Sequence, residues 1–190
     1  MNKTFLTKLQ KDIGKLKKVT VNRGKSSVNF KTTKGDVYTD TLKVYSKSNK
    51  KIYFTNYANS DPTINYAGGI IEEGIYLGLI GDHKGKYSEV KLFNADSIER
   101  VKYIMGLVGK AKTPKKKNSV WRKLLGEERT FISKISNPNH RNKKIIKYVN
   151  VHKGGYSNDF SGGCLTILKT NYKRFIDLFN DGEILIVEIK

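Results

Sequence analysis

The residues best suited to chemistry lie in one short segment near the C-terminal end, YVNVHKGGYSNDFSGGCLT over 148–166. His152 stands twelve positions before Cys164, the only cysteine of the chain. A thiol becomes a good nucleophile as the thiolate, and an imidazole with a pKa of about 6.5 can accept and return its proton around neutrality. Gly162 and Gly163 leave backbone N–H groups unshielded beside the cysteine, where they can stabilise an oxyanion. Nucleophile, base and oxyanion donors together predict acyl transfer.

Each feature of this segment also has a purely structural explanation. A lone cysteine followed by Leu165 and Ile167 is commonly a small buried hydrophobic residue. A histidine at a strand end is commonly structural, and a Gly-Gly pair commonly marks a turn. Only the combination of all three in one segment favours catalysis.

The elements that must position this segment are mostly strands. One strand is predicted over 145–151, ending at His152, and another over 165–168, so the ends of the glycine-rich loop would meet at adjacent strands. Helices are predicted over 4–18, 97–107 and 171–180, the last capped by Thr170 or Asn171 and stopped by Asp181-Gly182. A loop is expected over 57–69. The remaining short strands are expected over 19–21, 28–32, 37–44, 52–55, 74–80, 87–93 and 183–189. His83 is expected in the turn between the strands over 74–80 and 87–93.

Composition excludes several classes of protein. The chain has 190 residues, one cysteine and three prolines, which excludes disulfide-stapled and collagen-like proteins. No run approaches the roughly 18 apolar residues of a membrane-spanning helix, so no membrane span is expected. Lys8, Lys11 and Asp12 interrupt any apolar run at the N-terminus, so no classical signal peptide is predicted. We therefore expect a soluble protein synthesised in the cytoplasm.

The charge is strongly one-sided. Lys and Arg total 37 against 17 Asp and Glu, a formal charge of +20, and the excess is concentrated in residues 1–51 and 110–147. Such a field favours polyanionic partners such as nucleic acid, teichoic acids or anionic lipid surfaces. A solvated surface enriched in lysine by composition alone is the alternative.

Two motifs resemble a known family. Val151-His152-Lys153-Gly154 and Ser161-Gly162-Gly163-Cys164-Leu165 resemble the His-Gly … Ser-His-Gly-Cys-Ile-Arg signature of L,D-transpeptidase (YkuD-type) catalytic domains. In that family the cysteine strand leads into a short helix, a glycine turn and a final hydrophobic strand, as residues 172–189 would do here. Upstream, 61–63 and 74–76 are similar to its Pro-Thr-Pro-x-Gly-x-Tyr region. The resemblance covers about 18–190; residues 1–17 form an N-terminal amphipathic helix, and a basic insertion occupies about 108–144.

The resemblance implies a mainly β sandwich or barrel with a few short helices, acting on peptidoglycan stem peptides. Cys164 would attack the carbonyl between a meso-diamino acid and a terminal D-amino acid, with His152 as general base. An amine would resolve the thioester as a transpeptidase does, and water would do so as a carboxypeptidase does. No cofactor and no metal are implied. The loop forming the oxyanion hole would contain Ser161, Gly162 and Gly163, and substrate would contact Lys153, Gly154, Gly155, Tyr156, Thr166 and Tyr76.

The sequence departs from the family pattern at two positions. Gly162 replaces the second histidine of the signature, and Thr166 replaces its arginine, a residue suited to binding a carboxylate. Lys153 or Lys169 would then supply the positive charge for a stem-peptide carboxylate.

Two other functions remain open at this point. A nucleic-acid-binding module would explain the charge, with basic regions along phosphates and tyrosines stacked on bases. A degenerate wall-binding relative would keep the fold without turnover. His83 and His140 have no ligand set at metal-binding spacing, so no zinc site is predicted. An enzyme of this kind would reach the bacterial envelope by non-classical export, injection or phage release, and anionic wall polymers would be further partners.

Overall fold

The computed structural model describes residues 3–28, 30–31, 33, 37–60, 70–83, 86–110, 129–134, 145–155 and 164–190. These residues are mainly β, 49% strand against 23% helix, which confirms the expected fold class. The helices are α1 (Lys3–Ile13), α2 (Ile98–Lys110) and α3 (Lys169–Ile176). The strands are β1 (Lys17–Asn22), β2 (Phe30–Lys31), β3 (Val37–Tyr38), β4 (Asp40–Tyr45), β5 (Lys51–Asn59), β6 (Ile70–Ile71), β7 (Gly74–His83), β8 (Tyr87–Asn94), β9 (Thr130–Lys134), β10 (Ile145–Lys147), β11 (Asn150–Gly154), β12 (Leu165–Leu168) and β13 (Ile184–Ile189).

Eight strands close into a barrel in the order β1-β13-β7-β8-β11-β12-β5-β4. Two neighbouring pairs are parallel, β1 with β13 and β11 with β12, and the other pairs are antiparallel. Strands β10, β9 and β6 form a separate three-stranded sheet, and β2 pairs with β3. The closed order matters for function because β11 and β12 carry His152 and the approach to Cys164.

Alternation along the strands divides the apolar residues between two cores. The first fills the barrel and is closed by α3, whose Tyr172 and Phe175 are buried against it. The second lies outside the barrel, where Leu9 of α1 and Val101 of α2 cover the outer face of β7, β8 and β13. Each fully buried aliphatic side chain of this kind contributes roughly 1.5–3 kcal/mol of hydrophobic stabilisation. Both layers therefore hold β7 and β8 firmly beside β11.

Two predicted strands are each two strands in the structure, and the first of them, over 37–44, is divided between β3 and β4. Residues 145–151 were expected to be continuous, but β10 pairs with β9 while β11 joins the barrel. The chain turns at Tyr148, whose φ of 58° lies in the left-handed region. That conformation is rare for a bulky side chain, so the apolar pattern offers no sign of it. Strand β11 also continues beyond the predicted end at His152, to Gly154.

Several other element boundaries also differ from the sequence-based expectation. Strand β5 extends to Asn59, into the segment expected to be a loop, because Asn59 pairs with Thr166 of β12. Strand β7 extends to His83, which is paired with Tyr87 and is not in a turn. Helix α3 begins two residues early, after Leu168, which makes no side-chain capping hydrogen bond, and it ends at Ile176. Long-range pairing decides the first two boundaries.

No helix among the described residues is both long and apolar enough to cross a membrane.

Candidate functional site

Strand pairing brings the histidine and the cysteine to the same face of the barrel. β11 and β12 are parallel, with Val151 opposite Leu165 and His152 opposite Thr166. Val151 and Leu165 belong to the barrel core. Because side chains alternate along a strand, His152 and Thr166 face outward, as does Cys164 immediately before β12. The two ends of the glycine-rich loop do meet at neighbouring strands.

The sulfur of Cys164 is held against the start of β11. The partly buried thiol donates a weak hydrogen bond to the carbonyl oxygen of Tyr148, with 3.9 Å between the heavy atoms. Burial raises the pKa of Cys164 from 9.0 to about 11, and the negative charge of Glu89 adds to that rise. A hydrogen bond from the backbone of Asn150 and the charge of Arg129 lower the same pKa. The cysteine is therefore a neutral thiol near pH 7.

The ring of His152 is oriented by its own strand. Its Nδ1 lies 3.1 Å from the carbonyl oxygen of Lys153. A carbonyl can only accept, so Nδ1 carries the proton in this contact and Nε2 is the nitrogen able to accept one. Burial lowers the pKa of His152, the Lys153 carbonyl and Glu89 raise it, and His83 lowers it again. A neutral imidazole with an acceptor Nε2 is the form that a general base requires.

A second histidine, paired with a carboxylate, adjoins His152. Nδ1 of His83 lies 2.5 Å from Oε2 of Glu89, whose side chain is only 3% exposed. The rings of His83 and His152 are 5.9 Å apart between centroids. Continuing the β8–β11 register from Asn150 opposite Lys91 places Glu89 beside His152. The outer face here is thus a row of ionisable groups that crosses three strands.

This carboxylate is further tied to its own strand. Lys91 Nζ lies 2.9 Å from Oε1 of Glu89 and also donates to the carbonyl oxygen of Asp82 at 2.8 Å. Tyr87 stacks on His83 with 4.7 Å between ring centroids. A buried carboxylate is stable as an anion only when its oxygens are satisfied in this way.

Sequence reasoning missed Glu89 and its partners, and it considered His83 only as a metal ligand. A signal was present: the polar Glu89 and Lys91 alternate with the apolar Val90 and Leu92. That pattern predicts a strand with polar side chains on one face. Their proximity to His152 depended on strand order, which the pattern does not contain.

Arg129, in the segment expected to be a basic insertion, also contacts this site. Arg129 is 4% exposed, and its guanidinium contacts the segment that receives the cysteine sulfur: it donates to the carbonyl oxygen of Val149 at 3.2 Å and to the side-chain oxygen of Asn150. The sequence contained no sign that this arginine, among 37 cationic residues, would be buried.

Thr166 and Gly154 lie at the site but are committed to packing. Thr166 has no exposed surface and donates to the carbonyl oxygen of Asn59 at 3.5 Å. A Cβ on Gly154 would lie 2.1 Å from the hydroxyl oxygen of the buried Tyr38. The same hydroxyl donates to the carbonyl oxygen of Gly155 at 3.1 Å. Glycine is needed at 154 for this close approach, which anchors the end of β11.

Tyr76, which the resemblance placed among the substrate contacts, belongs to the barrel core. Its ring is 8% exposed in the barrel core, packed edge-on against Phe131, and its hydroxyl donates to the carbonyl oxygen of Glu72 at 2.7 Å. A cavity of about 210 Å³ lies at the N-terminal end of β7, lined by Gly74 and Lys190 among others.

Several predicted positions fall outside the described residues. These are Tyr156, the oxyanion loop Ser161–Gly163, the 61–63 motif and His140. Lys153 is described, and its Nζ lies 4.6 Å from the ring centre of Tyr87. Within the described part of the chain, no three His, Cys, Asp or Glu side chains are grouped as metal ligands would be.

No family model, no curated protein and no solved structure matches this chain. The arguments for its function therefore rest on the site itself and on the motif resemblance around Cys164.

Proposed function

We propose that this protein catalyses cysteine-dependent acyl transfer on peptidoglycan stem peptides, with Cys164 as nucleophile and His152 as general base. The observation that carries the proposal is the pairing of β11 with β12, which presents both side chains on one face. The Lys153 carbonyl supports it further, because it holds the imidazole with Nε2 available to accept a proton.

The protonation states favour one order of events. Since the thiol and the imidazole are both neutral at rest, the proton moves from Sγ to Nε2 as the sulfur attacks the carbonyl carbon. The S–C bond forms and the C–N bond to the terminal D-amino acid breaks, and His152 returns the proton to the departing amine. Water or an amine then attacks the thioester and restores the thiol. Released D-amino acid and a hydrolysed or crosslinked stem are the balanced products.

The basic surface supports an anionic substrate. Lys153 is the described lysine nearest the base in sequence, and the exposed Lys169 opens α3 directly after the cysteine strand. Either ammonium suits a stem-peptide carboxylate, in place of the arginine that the family motif carries. Loss of apparent affinity in a Lys153→Ala, Lys169→Ala double variant is the expected result, and unchanged affinity would refute the role. Docking on an anionic wall would weaken at high salt before turnover on small soluble stems does.

The decisive test is mass spectrometry of purified tetrapeptide and tripeptide stems incubated with the wild-type protein. We expect loss or exchange of the terminal D-residue, abolished in Cys164→Ala and reduced about 10²–10⁴-fold in His152→Ala. Lys47→Ala is the control, because Lys47 is exposed in the turn between β4 and β5, at the end of β5 opposite to the Asn59 that pairs with Thr166, and it should leave turnover unchanged. Unaltered stems with folded wild-type protein would refute the proposal, and wall binding without turnover would indicate the degenerate relative.

A second candidate function, binding of single-stranded nucleic acid, is favoured by the face that β1, β4 and β5 present to solvent. Two cross-strand pairs place a lysine over an aromatic ring: Lys18 Nζ lies 5.0 Å from the Tyr45 ring centre, and Lys43 Nζ lies 5.9 Å from that of Phe54. Phe54 is 44% exposed. Exposed rings beside cations are the features on which bases stack.

Oligonucleotide binding at several salt concentrations separates this candidate from the enzyme. It predicts a steep salt dependence, weaker binding in Phe54→Ala and no change in Cys164→Ala. Binding that ignores Phe54→Ala would refute a role for this face.

A further inference from the structure

Arg129 is a buried cation that binds two strands at once. Its Nε donates to the carbonyl oxygen of Leu92 on β8 at 3.1 Å, and its terminal nitrogen donates to Val149 and Asn150 at the start of β11. Its guanidinium carbon lies 5.1 Å from the ring centre of Phe93. Burial of a guanidinium is costly unless its donors are satisfied, and these carbonyl oxygens and the ring face meet that requirement.

The same residue holds the unusual turn at Tyr148. The Tyr148 N–H donates to the Arg129 carbonyl oxygen at 2.8 Å, and the Arg129 guanidinium carbon lies 5.3 Å from the Tyr148 ring centre. Tyr148 has a φ of 58°, a conformation that costs on the order of 1–3 kcal/mol for a non-glycine residue and persists only where its surroundings enforce it. Arg129 contacts this turn from both its main chain and its side chain.

This turn is also where the cysteine sulfur is received. The Tyr148 carbonyl oxygen accepts the thiol, and the backbone N–H of Asn150 is placed to donate to a thiolate. The carbonyl oxygen therefore stabilises the protonated sulfur, and the N–H stabilises the deprotonated sulfur.

We propose that Arg129 is a positioning residue for the nucleophile: it clamps the Tyr148–Asn150 turn so that its backbone receives Cys164, and it places a fixed positive charge beside the sulfur. This rests on the proposed role of Cys164 as nucleophile. It assigns a function to the basic insertion, whose other cationic residues need not reach the site.

The test is the pH dependence of Cys164 alkylation by iodoacetamide in folded wild-type protein and in Arg129→Lys and Arg129→Met. Arg129→Lys keeps a cation but lacks the planar fork that reaches three acceptors. Arg129→Met removes the charge at similar length. Arg100→Met is the control for loss of an arginine elsewhere in the fold, because the Arg100 guanidinium pairs with Asp96 at the start of helix α2.

At pH 8 we expect alkylation about threefold slower in Arg129→Lys and about tenfold slower in Arg129→Met, with both profiles displaced to higher pH, since each tenfold loss of thiolate is one pKa unit. Arg100→Met should follow the wild-type profile, and all variants should react alike in urea. A wild-type profile in folded Arg129→Met would overturn the proposal. If Arg129→Met does not fold, coincidence of Arg129→Lys with wild type would overturn it.

Alkylation does not require a substrate, so the two proposals can fail separately. Displaced alkylation profiles with unaltered stem peptides would leave the clamp standing and refute acyl transfer. Stem turnover with unmoved profiles would do the reverse.

Discussion

The protonation state of Cys164 leads to a prediction that a single reagent can test. Its pKa in the folded chain is about 11 against an ordinary 9.0. At pH 8 about one folded molecule in a thousand then carries the thiolate, against about one in ten unfolded molecules, because each pKa unit is a factor of ten. Iodoacetamide reacts with the thiolate, so folding should slow alkylation at pH 8 by about a hundredfold, and the folded protein's rate should still be rising at pH 10.

The assay is mass-spectrometric alkylation from pH 5 to pH 11, and the slopes of the logarithm of the rate against pH are compared so that steric access is removed from the comparison. Protein in urea gives the reference curve, which should level off above about pH 10. His152→Ala should leave the low-pH part of the folded curve unchanged, because the proposed proton transfer to His152 takes place only during attack on substrate. A reactive plateau between pH 5 and pH 8 that disappears in His152→Ala would refute this reasoning, since it would reveal a preformed thiolate–imidazolium pair.

Three further predictions follow from the same region. Gly154→Ala should lower the free energy of unfolding by about 1–3 kcal/mol, because its Cβ would lie 2.1 Å from a buried tyrosine hydroxyl. The control Gly106→Ala, in an exposed part of α2, should raise the free energy of unfolding by about 0.5–1 kcal/mol. Equal effects of the two substitutions in urea unfolding would contradict the clash at Gly154. Glu89→Gln should lower the pKa of both His152 and Cys164, since its charge raises both; an NMR titration of the His152 ring and the alkylation profile report these shifts, and a rise in either would oppose the assignment. The free energy of unfolding should fall as pH drops below about 6.5, because His152 binds a proton more readily in the unfolded chain than in the folded one. It should fall again from pH 9 to 11, because the unfolded chain loses the Cys164 proton first. In chemical unfolding across pH, His152→Gln should remove most of the loss of stability below pH 6.5, and an unchanged loss would contradict its assignment to His152.

Local pattern was a good guide to the elements and a poor one to where they end. Strand β12 spans the residues predicted for it, and the β7–β8 hairpin was predicted from the alternation on either side of residues 81–85. The strand expected over 145–151 is split because Tyr148 adopts a left-handed conformation. Contacts with Arg129, nineteen positions away, enforce that conformation. A window of ten residues contains no information on such a contact.

The candidate nucleophile and base were identified from sequence because they share one segment and one chemistry. Their residue types determine what they can do: a thiol can attack and an imidazole can move a proton wherever the fold places them. The alternation of side chains around Val151 and Leu165 also places His152 and Cys164 on the face opposite to the apolar residues.

Only the tertiary structure decided what surrounds that pair. His83 lies at the end of β7, Glu89 lies within β8, and Arg129 directly precedes β9. They surround the candidate pair because the closed barrel places β7, β8, β11 and β12 side by side. Register and strand order result from packing of the whole chain, and a period of two residues is compatible with many registers. The sequence by itself therefore determined the candidate reacting groups, while the fold decided their protonation states, since burial and neighbouring charges set the pKa values.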